Sequence, residues 1–295
     1  MTKHKAGFVS ILGSPNVGKS TLMNALVGER LSIITSKAQT TRHRILGIVN
    51  GEDFQVVFSD TPGILKPNYD LQTHMMQFVK TALEDADLFL YMVEWGEREI
   101  RDETVHHKLL HTKVPVFLII NKIDTANEQT LAEATTYWQD QLPKASVFAI
   151  AALENFGVEA LFSQILKCLP ESPPYYPKDQ LTDRPERFFV NEIVREKILL
   201  NYKKEIPYAV EIVTESFEET DTLLRIRVVI MVERETQKGI LIGHKGAPLK
   251  RVGIAARQDM ERFFGKKVHL EQYVKVNKNW RNNATQLKRF GYNLK

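Results

Sequence analysis

"ILGSPNVGKST", Ile11–Thr21, sets a glycine-framed loop between an apolar strand-like run and a helical pattern. Gly13, Gly18, Lys19 and Ser20 satisfy G-x-x-x-x-G-K-[ST], the loop whose backbone amides wrap phosphates. Gly13, Ser14, Pro15, Asn16, Val17, Gly18, Lys19, Ser20 and Thr21 are therefore expected at a bound nucleotide. Lys19 would reach the β- and γ-phosphates, and the Ser20 hydroxyl would serve Mg²⁺. A chance match in a chain of 295 residues is on the order of one in a hundred.

Working outward, strand-like runs at Gly7–Leu12, Ile45–Val49, Phe54–Ser59, Leu88–Val93, Val116–Ile120 and Val147–Ala149 alternate with helical patterns. The helices are expected near Ser20–Val27, Leu71–Asp85, Glu97–His111, Glu128–Gln141 and Val158–Cys168. Asn50-Gly51 between two strand runs is a hairpin signal, so one antiparallel strand joins an otherwise parallel sheet. The class is α/β, with helices on both faces of the sheet. "DTPG" (Asp60, Thr61, Pro62, Gly63) ends one strand, where a carboxylate holds the Mg²⁺ shell and the Gly63 amide senses a γ-phosphate. "NKID" ends another. There Asp124 can accept two hydrogen bonds from guanine, the Lys122 stem can lie over the base, and Asn121 can tie the loop to Gly13–Ser20.

The series "GSPNVGKST … AQTTRHR … DTPG … NKID" resembles the translation-factor-related GTPases, and within them the Era group. The resemblance implies GTP and GDP as ligands and a first-switch threonine on Mg²⁺ and γ-phosphate, carried over to Thr41 with Thr40 as second choice. The family's Ser-Ala-Leu element near the guanine would be Ala151, Ala152 and Leu153, with the Ala152 amide reaching the base and a serine's support missing. Ile64 stands where many GTPases carry a water-orienting glutamine, so slow, partner-stimulated hydrolysis is expected, with Asn16, Lys19, Thr41 and Gly63 as its catalytic groups. Asn16 has two readings: it stabilises the loop turn, or, as in relatives with Asn there, it helps hold a K⁺ that acts as a charge finger.

The second half differs in charge. Residues 238–295 carry 14 basic and 3 acidic side chains against +4 for the whole chain, which points to a polyanion. "GHKG" (Gly243, His244, Lys245, Gly246) lies between two helical patterns, in the order helix, strand, strand, helix, loop, helix, strand. That order resembles a type II KH domain, whose loop clamps a nucleic-acid backbone. Ile240, Ile242 and Leu249 would line its groove, with Lys250 and Arg251 beside it. Alone, G-x-x-G is more often a helix end and a turn. Five prolines between Pro170 and Pro185 suggest a stiff joint that transmits nucleotide state. The expected division is 1–170, a GTPase domain; 171–185, a linker; and 186–295, a KH domain with a basic tail. The family resemblance implies the 3′ end of small-subunit ribosomal RNA as partner, and maturation of that subunit as role.

Other classes are weaker. A single cysteine, Cys168, expected buried at a helix end, excludes internal disulfides and Cys-based zinc clusters and fits a reducing cytosol. The start, "MTKHKAGFVSILG", reads as a first strand rather than an export signal, and no apolar run reaches membrane-span length. His106, His107 and His111 share part of a helical face, where the charged-surface reading outweighs a metal site. The alternative is a membrane-associated regulatory GTPase, with Lys275, Lys278, Arg281, Lys288 and Arg289 on anionic lipid and Trp280 and Tyr292 at its interface. Weak peripheral membrane contact is compatible with RNA binding. A cytoplasmic monomer is expected.

Overall fold

The computed structural model describes residues 4–100 and 102–292. They form two units, one closing at Asp183 and one running from Arg184, with Tyr69–Leu71 grouped with the second.

The first unit runs β1 (Lys5–Gly13), α1 (Lys19–Val27), β2 (Ile45–Asn50), β3 (Phe54–Asp60), α2 (Asp70–Glu84), β4 (Leu88–Glu94), α3 (Glu103–His111), β5 (Val116–Asn121), α4 (Glu128–Gln141), β6 (Ser146–Ala149) and α5 (Val158–Cys168). Its sheet has the order β2-β3-β1-β4-β5-β6, and only β2 runs antiparallel to its neighbour. Every residue of β4 from Leu88 to Val93 is buried, as a strand covered on both faces requires, which is why it reads as an unbroken apolar run. Parallel pairing aligns the strand ends: Ile11 faces Asp60, Gly13 faces Met92, and Glu94 faces Asn121. The three loop motifs therefore leave the sheet on one side, where α/β sheets hold ligands.

Two local expectations change. The helix expected from Glu97 begins at Glu103, because Asp102 accepts from the amides of Thr104 (2.8 Å) and Val105 (3.1 Å) and caps it there. Arg101 of the expected helix lies outside the described residues. Cys168 is exposed, not buried, because the inward face of α5 is taken by Val158, Leu161 and Ile165.

The proline-rich stretch lies along the first unit. The Ala6 amide donates to Pro170 O (3.1 Å), and the Gln55 side chain bonds the backbone of Tyr175 and Tyr176 at 2.7–3.0 Å. Ile48 N donates to Leu181 O (2.8 Å), Gly47 pairs with Thr182, and Leu46 N donates to Asp183 Oδ1 (3.1 Å). Prolines suit this path, since an extended strap on a sheet's margin needs few donors of its own.

The second unit holds α6 (Glu186–Asn201), α7 (Ile206–Ala209), β7 (Glu211–Glu219), β8 (Leu223–Val232), α8 (Glu235–Ile242), α9 (Ala247–Phe264), β9 (Lys267–Val276) and α10 (Ala284–Arg289). β8 is central, antiparallel to β7 and parallel to β9. Val190, Val194 and Ile198 of α6, Val252, Ala256 and Met260 of α9, and alternate residues of β8 make its core. β7 starts at Glu211 rather than Tyr208, because Pro207 in its first turn starts the short α7.

The basic tail is built into the core of the second unit. Trp280, Leu287 and Tyr292 are fully buried, Trp280 Nε1 donates to Ala209 O (3.1 Å), and Tyr292 Oη donates to Glu211 Oε2 (3.1 Å). Aromatic rings so placed are core, not membrane anchors. Among the described residues no helix is long and apolar enough to cross a membrane.

Candidate functional site

Where the sheet of the first unit ends, a cavity of about 590 Å³ opens. Pro15, Asn16, Gly18, Lys19, Ser20 and Thr21 form one wall, Gly63 touches it, and Asn121, Lys122, Asp124, Ala152 and Leu153 close the far end. Gly13, Ser14, Val17, Asp60, Thr61, Pro62 and Ala151 stand behind this surface. Of these, Asp60 and Thr61 are fully buried, and Thr61 Oγ1 donates to Ile11 O (2.7 Å).

Lys19 curls over its own loop, donating Nζ to the carbonyls of Gly13 (3.1 Å) and Ser14 (2.7 Å). Burial lowers its pKa to about 8, while the Asp60 and Glu97 carboxylates hold it from falling further. The ammonium is thus stored on carbonyls, within the loop that would surround phosphate. Glu97 enters from the other side, accepting from Ser14 Oγ with Oε1 while its main-chain carbonyl takes the Trp138 indole (3.0 Å).

Ser20, Thr41 and Asp60 meet although far apart in sequence. Ser20 Oγ donates to Asp60 Oδ2 (2.7 Å) and shares a hydrogen bond with Thr41 Oγ1 (2.8 Å), and Thr41 Oγ1 reaches Asp60 Oδ2 at 3.4 Å. Asp60 Oδ1 is buried without a hydrogen bond, and burial pushes its carboxyl up from the usual range. Two hydroxyls and a buried, under-satisfied carboxylate fit a hard divalent cation such as Mg²⁺. Thr40 turns elsewhere, donating to Lys37 O (2.6 Å) and sharing a hydrogen bond with Thr35 Oγ1 (2.6 Å).

Asn121 joins the loops. Its Nδ2 donates to Val17 O (2.7 Å), and its Oδ1 accepts from Ala152 N (3.0 Å). The Ala152 amide, expected at the base, is therefore committed to Asn121. The turn that lacks a serine is closed instead by paired backbone bonds between Ala151 and Phe156 (3.0 and 3.1 Å). Gly18 sits at φ +101°, and a Cβ there would lie 2.2 Å from Asn121 Nδ2, so only glycine permits the tie. Lys122 donates to Glu94 Oε2 (2.7 Å) and Trp95 Nε1 to Thr125 Oγ1 (2.9 Å) at this edge. The Asp124 carboxylate faces the cavity and makes no hydrogen bond among the described residues.

Asn16 Nδ2 donates to Ser36 O (3.0 Å), bringing the first loop against a wall of Ile33, Ile34, Thr35, Ser36 and Gln39. That wall, with Glu94, Glu97 and Thr125, was not legible as a site: it follows no motif and depends on how the chain returns before β2. Ile64 is buried, its amide bonded to Gly13 O (3.0 Å). His106 bonds Gln141 O (3.1 Å) while His107 and His111 stack at 4.1 Å, and among the described residues no trio of His, Cys, Asp or Glu is arranged for a metal.

In the second unit, α8 ends at Gly243 (φ +69°) and α9 begins after Gly246 (φ +71°). His244 and Lys245 between them are exposed, as are Lys250 and Arg251 on the first turns of α9. Ile240 is exposed, Ile242 half-buried, and Leu249 packs against the core, so the three form a graded apolar flank. A Cβ on Gly246 would meet nothing within 4 Å, leaving its backbone open to a close approach.

Comparison with known proteins gives the same two parts. Residues 8–122 match the family described as 50S ribosome-binding GTPase, and residues 205–281 match the KH domain. The GTPase Era of Staphylococcus haemolyticus is 44% identical over 99% of this chain and 98% of its own, and that of Staphylococcus epidermidis is 43% identical over the same shares. A crystal structure of Era in complex with MgGDPNP and nucleotides 1506–1542 of 16S ribosomal RNA superimposes with a TM-score of 0.93 at 38% identity, covering 99% of this chain and all of that one. A variant of Aquifex aeolicus Era bound to GDP·AlF₄⁻ gives 0.93 at 38%, covering 98% of this chain and all of that one.

Proposed function

The chain belongs to the Era family of GTPases, and on that premise we propose that it binds GTP and Mg²⁺ in the first unit, hydrolyses GTP slowly, and binds small-subunit ribosomal RNA through Gly243–Gly246 as a factor in maturation of that subunit. The observation that carries the nucleotide reading is the meeting of Ser20, Thr41 and Asp60 beside a cavity whose far end presents an uncommitted Asp124.

Ser20 and Thr41 would hold Mg²⁺ with Asp60 in its outer shell, and the ion, when bound, neutralises charge on the β- and γ-phosphates. Lys19 would exchange its carbonyl partners for phosphate oxygens. The Gly63 amide would sense the γ-phosphate. Asp124 would pair with guanine while Asn121 fixes the loops at the right separation. Ile64 offers no polar group to the attacking water, which supports slow intrinsic turnover. Asn16, already linking the loop to the Ser36 carbonyl, would help hold a K⁺ that supplies positive charge to the reaction; unchanged turnover on replacing K⁺ with Na⁺ would sink that element. The crystallised relative with its 16S fragment supports the RNA assignment, as does the open backbone at Gly246. A cytoplasmic, monomeric protein fits this role.

The test is sedimentation with ribosomal subunits in the presence of a non-hydrolysable GTP analogue or GDP, with Gly246→Asp beside the wild type. Co-migration with the small subunit alone, lost in the variant, is expected. Absence of co-migration in both nucleotide states overturns the ribosomal assignment and leaves the GTPase standing.

A further inference from the structure

The second unit contains a polar side chain that its own packing leaves unused. β9 is the edge strand of the three-stranded sheet. Along it, Val268 belongs to the core, and Leu270, Val274 and Val276 pack against that core. With a period of two, Gln272 falls in the middle of this apolar row. Its Oε1 is buried without a hydrogen bond, and neither end of the carboxamide has a partner among the described residues. Leucine or valine would fit the row better, because a buried carbonyl oxygen without a partner opposes folding.

Across from it stands Gly253 of α9. A Cβ at Gly253 would lie 2.0 Å from Gln272 Nε2 and 3.1 Å from its Cδ, so the helix lacks a side chain at the one point where this amide comes up against it. The two residues make a small polar notch between α9 and β9. Gly253 is seven residues beyond Gly246, about 10 Å along the helix, which lies within the span of the four nucleotides whose backbone a G-x-x-G loop clamps.

We propose that Gln272 reads a base in the RNA groove, with adenine as its preferred partner. A carboxamide presents an acceptor and a donor side by side, matching adenine's amino group and neighbouring ring nitrogen. The apolar residues flanking it would exclude water from that pair. The inference rests on the reading that the second unit binds RNA.

The experiment selects RNA decamers from a random pool with the full chain and sequences those retained, for wild type, Gln272→Leu, Gln272→Glu and Gly246→Asp, alongside a thermal melt of each. The expected result is one position enriched in adenine for wild type, by roughly tenfold or more. That enrichment returns to background in Gln272→Leu and moves away from adenine in Gln272→Glu, with other positions unchanged. Gln272→Leu should melt no lower than wild type, which a purely structural role would not allow. Equal adenine enrichment in wild type and Gln272→Leu overturns the inference, as does a lowered melt with base preference intact. If the wild type retains no RNA above Gly246→Asp, the RNA reading itself fails, and this inference falls with it.

Discussion

Asn121 and Val17, 104 residues apart in the chain, are joined by a 2.7 Å hydrogen bond from the side-chain amide to the main-chain carbonyl. The same side chain accepts from Ala152, so one buried residue sets the distance between the Gly13–Ser20 loop and the Asp124 end of the cavity. Asn121→Ala would orphan both a carbonyl and an amide, at about 1–3 kcal/mol each. Titration with a fluorescent guanine nucleotide should show affinity reduced on the order of a hundredfold or more; a loss under threefold would refute the tether.

The two threonines before Arg42 separate by role. Thr41→Ala removes a hydroxyl from the Ser20–Asp60 cluster, whereas Thr40→Ala loosens the Thr35–Lys37 turn. Single-turnover hydrolysis should fall by about tenfold or more in the first variant, with a raised Mg²⁺ requirement, and by less than about threefold in the second. The reverse ranking would assign the metal to Thr40.

Lys19 supplies a pH signature. In the nucleotide-free protein its pKa is lowered to about 8, below the ordinary value of 10.5, because burial disfavours the ammonium. Between those values the unfolded chain holds a proton that the folded chain lacks, so this group makes stability rise with pH across that window. Phosphate would draw the value back up, so nucleotide binding takes up a proton. Calorimetry at pH 8 in buffers of different ionisation enthalpy should find uptake of about half a proton; none would mean that phosphate does not meet this ammonium.

The tail should behave as core. Trp280→Ala removes a fully buried indole and should destabilise the second unit by about 3–5 kcal/mol, whereas Tyr292→Phe, losing one hydrogen bond to Glu211, costs about 1 kcal/mol. Chemical denaturation checks both. Strong binding of the wild type to anionic vesicles, lost in Trp280→Ala without loss of stability, would restore the lipid reading.

The alternating first half, the antiparallel strand after Asn50-Gly51 and the order of elements around GHKG were legible because each rests on local chemistry: period, turn residues and glycine at positive φ. That Gly13–Ser20 and Asn121–Asp124 meet at one cavity was legible because a phosphate loop and a guanine loop would each constrain residue types strongly. The strap, the buried tail and the cavity wall at Ile33–Gln39 were not, since each depends on where a polar-looking segment comes to rest. Prolines read as a joint, and the basic residues around Trp280 read as a tail, yet both segments found partners far away in sequence: Gln55 and Ile48 for the one, Ala209 and Glu211 for the other. Asp102 outcompeting an earlier helix start is a smaller case of the same kind.

The strap along β2 also bears on solubility. β2 is the last strand of its sheet, and Leu181–Asp183 satisfy amides that would otherwise face outward as a template for another chain. A fragment cut at residue 170 would bare that margin, together with the apolar patch that Tyr176 covers over Leu46, Ile48 and Val57. It should self-associate with rising concentration in light scattering, whereas one cut at residue 183 should stay dispersed. Residues that read as a spacer between two machines thus act as the first machine's guard against its own copies.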